Sequence, residues 1–477
     1  MSIPMLLSGW LLTAPLPLSL DSCMALARQN AYAQAAALQV EAERGALQST
    51  RASLWPTLQA QAGYVYNSYV QSFTQRMIVG FDPATGRPLF QEFPLEFGQH
   101  HSYQVAFQLN YPLFTWGRLR DLVRAQEAQV EAQQVQAQQT QEQMAFTAGQ
   151  LYLHLWVLQE GVEISREVVR NLQEHEALVR QRYESGLATH LEHLQAQVKL
   201  QNARTQLHSV ESAYHSLQDQ LREFLDLPDT LEPVPTDRLE PPQLPPLDAY
   251  LQQVQHRLDL QGLILQQRQL EALYRATDNS NKPSLVLQAS YQIRKPQGFE
   301  GTWGSNYTLT LGFQMPIFDG FQRQGDLRRL GALRDLQSLL LHKRLREAEA
   351  EVRRLYREAQ VEQRNYETQR ENLRLAQEAL QVAQEQYEQG LISQMEFLDV
   401  QNTYAQARYA VLQALSAFHQ KRLLLEQAAR VGTAQGSSAM EPSPGIQTQG
   451  GMNHENQAPA PSGAEQPSSA PQQPGLP

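Results

Sequence analysis

Two periodicities alternate along this chain. Tyr103, Val105, Phe107, Leu109 and Tyr111 are separated by Gln, Ala, Gln and Asn, the period of two that predicts a strand with one apolar and one polar face. Tyr307, Leu309, Leu311, Phe313 and Met315 repeat the pattern. Partner strands are expected over Leu58 to Tyr69 and Leu285 to Ile293, so that each pair makes a β-hairpin. Elsewhere the pattern is helical. Leu20 to Ala52 and Leu247 to Thr277 are rich in Ala, Leu, Gln and Glu and free of Pro. Leu119 to Glu184 and Gln322 to Glu388 are uninterrupted helix formers, each roughly 100 Å long at 1.5 Å per residue. Gly186 and Gly390 break them, and helix resumes through Arg222 and Arg430. The apolar stripe of these helical hairpins is narrow and mostly Ala, Leu and Val, which suits coiled-coil contact with neighbours. A hairpin of this kind cannot bury its seam alone, so oligomerisation is expected.

The chain is a tandem repeat. Tyr111-Pro112-Leu113-Phe114 returns as Met315-Pro316-Ile317-Phe318, and Tyr183-Glu184-Ser185-Gly186-Leu187 as Tyr387-Glu388-Gln389-Gly390-Leu391, both 204 positions on. Upstream, Trp55-Pro56-Thr57-Leu58 pairs with Lys282-Pro283-Ser284-Leu285 at an interval of 227. The difference is an insertion in the first copy. It falls in the stretch from Tyr69 to His101, which carries Gly80, Asp82, Pro83, Gly86 and Pro94 and is expected to be a long extracellular loop. The organisation that follows has copy one at 19–227 and copy two at 247–431, joined by a Pro-rich linker at 228–246. Copy one holds a β-hairpin at 57–111 and a helical hairpin at 117–226; copy two holds them at 284–315 and 321–430.

The ends differ from this body. Residues 1–18 are apolar, then rich in small residues and Pro, and read as a signal peptide that lacks the usual positive start; a packed amino-terminal arm is the alternative. Asp21 makes Leu20-Asp21-Ser22-Cys23 a poor lipoprotein cleavage site, so Cys23 is expected as a buried helix residue. Residues 432–477 are rich in Pro, Gly, Ser and Gln without Lys or Arg, the composition of a disordered tail.

Composition narrows the function. A net charge of -10, with 39 basic against 49 acidic residues, argues against a nucleic-acid partner. No apolar stretch approaches the roughly 20 residues of a spanning helix, so any membrane passage must be made by strands. The predicted strands fit one: about 9 to 11 residues long, aromatic at the ends of their apolar faces, and nearly uncharged on the polar ones. No HExxH, GxSxG, P-loop or GxGxxG occurs, so no catalysis and no cofactor are expected.

Tandem copies, Pro-x-Phe after each second strand and Tyr-Glu-x-Gly-Leu tips followed by Leu-x-x-Gln together resemble the TolC-like outer membrane efflux protein family, over about Leu20 to Arg430. The resemblance implies a fold of the α+β membrane class. In it a homotrimer closes a twelve-stranded β-barrel in outer-membrane lipid and continues it as a periplasmic α-helical barrel. It implies a passive exit duct of a tripartite efflux pump or type I secretion system, with a periplasmic adaptor and an inner-membrane transporter as partners. A soluble or peripheral coiled-coil scaffold is the competing reading, and detergent dependence separates the two.

Glu396 and Asp399 lie three apart on a predicted helix and share a face. By the resemblance they match the Asp-x-x-Asp of the tunnel entrance, where rings of acid would gate the duct and raise their own pKa values. Glu192 is the first-copy counterpart, with Gln195 in place of the second acid. A solvated helix face is the plain alternative for all three. Gly186 and Gly390 fit turns of positive φ; by the resemblance these tips meet the adaptor, through Leu187, Leu391 and Ile392. His190 and His193 flank Glu192 at ligand spacing, but with no third ligand nearby no metal site is expected. Arg118, Arg120, Arg323 and Arg328 read as surface charges.

Overall fold

The computed structural model describes residues 14–97, 99–239, 244–297 and 301–430. The tail at 432–477 and the first thirteen residues of the expected leader lie outside them.

Four strands form an antiparallel sheet in the order β2 (Thr57–Tyr66), β5 (His101–Phe114), β7 (Ser284–Lys295), β8 (Gly304–Gln314). The register aligns the two copies. Leu58, Leu109, Ala289 and Leu309 form one row; Ala60, Phe107, Tyr291 and Tyr307 form the next. The rows between them belong to the opposite face and read Gln59, Gln108, Ser290 and Thr308, then Gln61, Ala106, Gln292 and Asn306. No described element covers the apolar face: Tyr307 is 82% exposed, Leu309 69% and Phe313 71%. β2 and β8 are edges, each paired on one side only.

Each second strand turns into a long helix, α3 (Arg118–Glu184) or α7 (Gln322–Glu388), through two consecutive left-handed residues. These are Trp116 and Gly117 in copy one and Gly320 and Phe321 in copy two. Helices α4 (His190–Phe224) and α8 (Gln394–Arg430) return antiparallel along α3 and α7.

The copies also pack alike. In one core Cys23, Ala27, Ala148, Tyr152, Leu221 and Leu225 meet. In the other the positions equivalent by the two repeat intervals, Tyr250, Val254, Val352, Tyr356, Leu425 and Ala429, do the same. Burial pushes the Cys23 thiol up to about 12.

The structure adds detail to the expected organisation at four places. First, Ala14–Leu18, inside the stretch read as a leader, forms strand β1, paired in parallel with β6 (Leu231–Pro235) from the linker. Leu18 is buried there. Second, the linker is bolted down. The Asp237 carboxylate accepts from Leu20 N (2.6 Å) and the Tyr152 hydroxyl (3.0 Å), and Trp156 Nε1 donates to the Asp237 carbonyl (3.0 Å). Third, both opening helices are broken. Asn30 separates α1 (Leu20–Ala27) from α2 (Ala31–Ala52) and caps α2 by accepting from Ala33 N. Arg257 likewise precedes α6 (Leu258–Asp278), after α5 (Leu247–Gln253) and one 3-10 turn. Fourth, the long loop is a second hairpin, β3 (Gln71–Phe81) with β4 (Pro88–Phe97). Its turn is fastened by Asp82, which accepts from Ala84 N (3.0 Å) and the Thr85 hydroxyl.

Candidate functional site at the helical tips

Both tips are built by the same local code. In the first, Gly186 at φ +79° donates to the Tyr183 carbonyl (2.9 Å), and Leu187 N donates to Arg182 O (2.7 Å). In the second, Gly390 at φ +74° donates to Tyr387 O (3.0 Å), and Leu391 N to Gln386 O (2.8 Å). This is the glycine-dependent Schellman end of a helix. Each return helix then opens with a capping box. Thr189 N donates to the Glu192 carboxylate (2.6 Å) while Glu192 N donates to the Thr189 hydroxyl (3.2 Å). Ser393 N and Glu396 make the same exchange at 2.8 and 3.3 Å.

Glu192 and Glu396 therefore have a structural task that accounts for their equivalence. The Ser393 backbone and then its hydroxyl hold the Glu396 carboxyl below the ordinary range. In the single chain this is opposite to the raised value expected of a convergent acid ring. Leu187 and Leu391 are 80% and 69% exposed, whereas Ile392 is half-buried.

Glu396 and Asp399 are brought together; Glu192 stands apart at the other tip. The two acids line a groove of about 790 Å³ between the helical hairpins, with Val168, Leu172, Leu398 and Asn402 among its walls. Five contacts stitch the copies along this seam. The Tyr409 hydroxyl donates to Gly161 O (2.8 Å) and bonds the Ser165 hydroxyl (2.7 Å). Arg408 pairs with Glu167. Gln394 Nε2 donates to Nε2 of buried His175 (2.7 Å), and the Arg182 guanidinium lies 5.5 Å from the centre of the Tyr387 ring. Burial first, then the Lys199 and Arg182 charges, depress the His175 pKa, so its imidazole is neutral and can accept.

Tyr387 stacks on Phe397 with centroids 4.9 Å apart, and its repeat partner Tyr183 stacks on His193 at 5.4 Å. His190 also lies against Tyr183, and His193 takes a bond from Gln197. No metal-ligand group of three exists among the described residues. The tip tyrosines are legible as repeat equivalents. Phe397 and His175 are not, because their repeat positions are His193 and Ala379.

The profile of the family described as "Outer membrane efflux protein" matches residues 24–225 and 250–429. The probable outer membrane lipoprotein SilC of Salmonella typhimurium is 22% identical over 317 residues, covering 64% of this chain and 62% of SilC's own length. Among solved structures, the Campylobacter jejuni CmeC outer membrane channel superposes with a TM-score of 0.69 at 17% identity, over 87% of this chain and 86% of CmeC. The open state of the Neisseria gonorrhoeae MtrE outer membrane channel gives 0.65 at 17% identity, over 87% and 91%.

Proposed function

The chain belongs to the outer membrane efflux protein family, and on that premise we propose that three copies form the passive exit duct of a tripartite efflux pump or type I secretion system. Members of this family are channels of the outer membrane and not enzymes. The observation that carries the finer reading is the uncovered, open-edged sheet. Apolar rows run from Tyr103 to Tyr111, which at about 3.4 Å per residue and a 35–45° tilt spans roughly 20 Å, close to a barrel's lipid-facing band. Unpaired strand edges are not tolerated in lipid, so β2 of one copy must meet β8 of the next. Four strands from each of three copies would then close a twelve-stranded barrel, and the α3–α4 and α7–α8 hairpins would continue it into the periplasm.

In this reading the tips are the entrance, with Glu396 and Asp399 as its acidic constriction. Exposed Leu187 and Leu391, with the glycine turns at Gly186 and Gly390 and half-buried Ile392, offer the contact for a periplasmic adaptor that couples the duct to an inner-membrane transporter. No described helix is long and apolar enough to cross a membrane, and the sequence carries no P-loop; in this reading energy comes from that transporter.

The experiment is extraction followed by native mass spectrometry. The protein is expected to leave outer-membrane fractions only with detergent and to fly as three copies. Recovery as a water-soluble monomer would overturn the duct.

A further inference from the structure

The two copies match in their own contacts but not in their shared ones. Helix α6 packs both on α7 of its own copy and on α3 of the other, whereas α2 packs extensively on its own α3 alone among the described elements. The own-copy contacts are equivalent down to single hydrogen bonds. Gln337 Nε2 donates to Gln266 Oε1 (2.9 Å), and at the two repeat intervals Gln133 Nε2 donates to Gln39 Oε1 (3.0 Å). The further contact of α6 is apolar: Leu258 and Leu265 are buried with Val135 of α3, Ala132 packs against them, and Gly262 faces Val135. Carried by the same intervals, this cluster becomes Ala31, Ala35 and Leu38 on α2 with Leu336 and Leu339 on α7. All five are exposed in the single chain. Leu38 and Leu339 are 70% and 68% exposed, against 8% and 9% for their counterparts Leu265 and Val135.

We propose that the Ala31–Ala35–Leu38 stripe of α2 docks on Leu336 and Leu339 of α7 in an adjacent copy of this chain. The inference rests on the three-copy reading above and deepens it by naming the helical contact between copies. Three observations select that occupant. The chain already contains the contact once, as α6 on α3, so the docked geometry is one this sequence demonstrably packs. Connectivity also brings the right surfaces together. Helix α2 runs into β2 and α7 runs out of β8, so joining the edge β2 of one copy to β8 of the next sets α2 beside the neighbour's α7, as the β5–β7 pairing sets α6 beside α3. Finally, the side-chain sizes are exchanged across the contact. Ala31 stands where α6 has Leu258, while Leu336 and Leu339 stand where α3 has Ala132 and Val135, so bulk lost on one side is regained on the other. The exchange continues where the helices meet the sheet. Within the chain Lys282 lies 5.6 Å from the centre of the Trp116 ring; between copies their counterparts are exposed Trp55 and Gly320, where an added Cβ meets open space. The two stripes are different surfaces of one chain, so each copy offers one and receives the other around the ring.

The test places a photo-crosslinking benzoylphenylalanine at Leu38, or at the adjacent Ala37, in the full-length membrane protein. Both positions are exposed, and Ile264, the counterpart of Ala37, stays exposed where α6 is docked, so Ala37 points away from the contact. Irradiation should give adducts between chains from Leu38, mapping around Leu336 and Leu339, and only background from Ala37. Leu38 adducts to lipid, to another protein, to another segment or to nothing, or equal adducts from Ala37, with a three-copy native mass retained, would overturn the proposal. A monomeric native mass would instead overturn the assembly on which it rests.

Discussion

Removing the Tyr409 hydroxyl should loosen the tip. In Tyr409→Phe the seam between the copies loses two hydrogen bonds, one to the Gly161 carbonyl at 2.8 Å and one to the Ser165 hydroxyl at 2.7 Å. A typical intramolecular hydrogen bond contributes about 0.5–1.5 kcal/mol net, so the pair is worth about 1–3 kcal/mol in each chain. The ring itself stays, and it touches the position where a Cβ on Gly161 would stand, so packing is preserved. If the seam is what holds the entrance closed, the opening equilibrium should rise by about 5–150-fold per chain. Open probability of reconstituted single channels reads this directly, with Tyr356→Phe, in the second core away from the seam, as control. An open probability changed no more than in the control, from protein of normal assembly, would refute the seam as the latch.

Four further outcomes are expected. His175 is depressed below its ordinary value, so the unfolded or opened tip binds its proton first; the stability it lends is present above about pH 6.5 and is lost as pH falls. Hydrogen exchange at the tips should therefore quicken below that pH, and His175→Gln should abolish the step. Gly390→Ala, in open space but at φ +74°, should cost about 1–2 kcal/mol from backbone conformation alone and bring protease nicking at the tip, with Gly390→Asn milder. Glu396→Ala with Asp399→Ala should enlarge single-channel conductance and abolish block by divalent cations, whereas Glu192→Ala should affect neither. Cys23, its pKa pushed up to about 12, should stay silent to a thiol reagent until denaturant is added.

Much of the architecture was legible because the same physics is written twice. Period-two rows, uninterrupted helix formers and Gly after Tyr-Glu-x recur at one interval, and each recurrence lands on an equivalent element. The insert was misread because Gly80, Pro83 and Pro94 punctuate it, although Phe73, Gln75 and Met77 already alternate; the bulge at Val79 breaks that period. Breaks at Asn30 and Arg257 depend on distant partners: Asn30, the cap of α2, also reaches Phe224 O (3.4 Å), and buried Arg257 reaches Ala428 O (2.5 Å). Residues 14–18 have a composition that a short apolar strand and a leader core share. At the site, acids and glycines could be read from spacing, but the seam could not. His175 with Gln394 and Tyr409 with Gly161 are contacts over more than two hundred residues between copies, and nothing local announces them.

An exit duct is a water-filled passage through the outer membrane, and conductance of the detergent-purified protein in a planar bilayer reads that passage. Discrete, cation-preferring steps, small at rest and larger in Tyr409→Phe and in the Glu396→Ala, Asp399→Ala pair, are the expected result. A bilayer that stays silent with correctly assembled, outer-membrane-derived protein, native and variant alike, would contradict it.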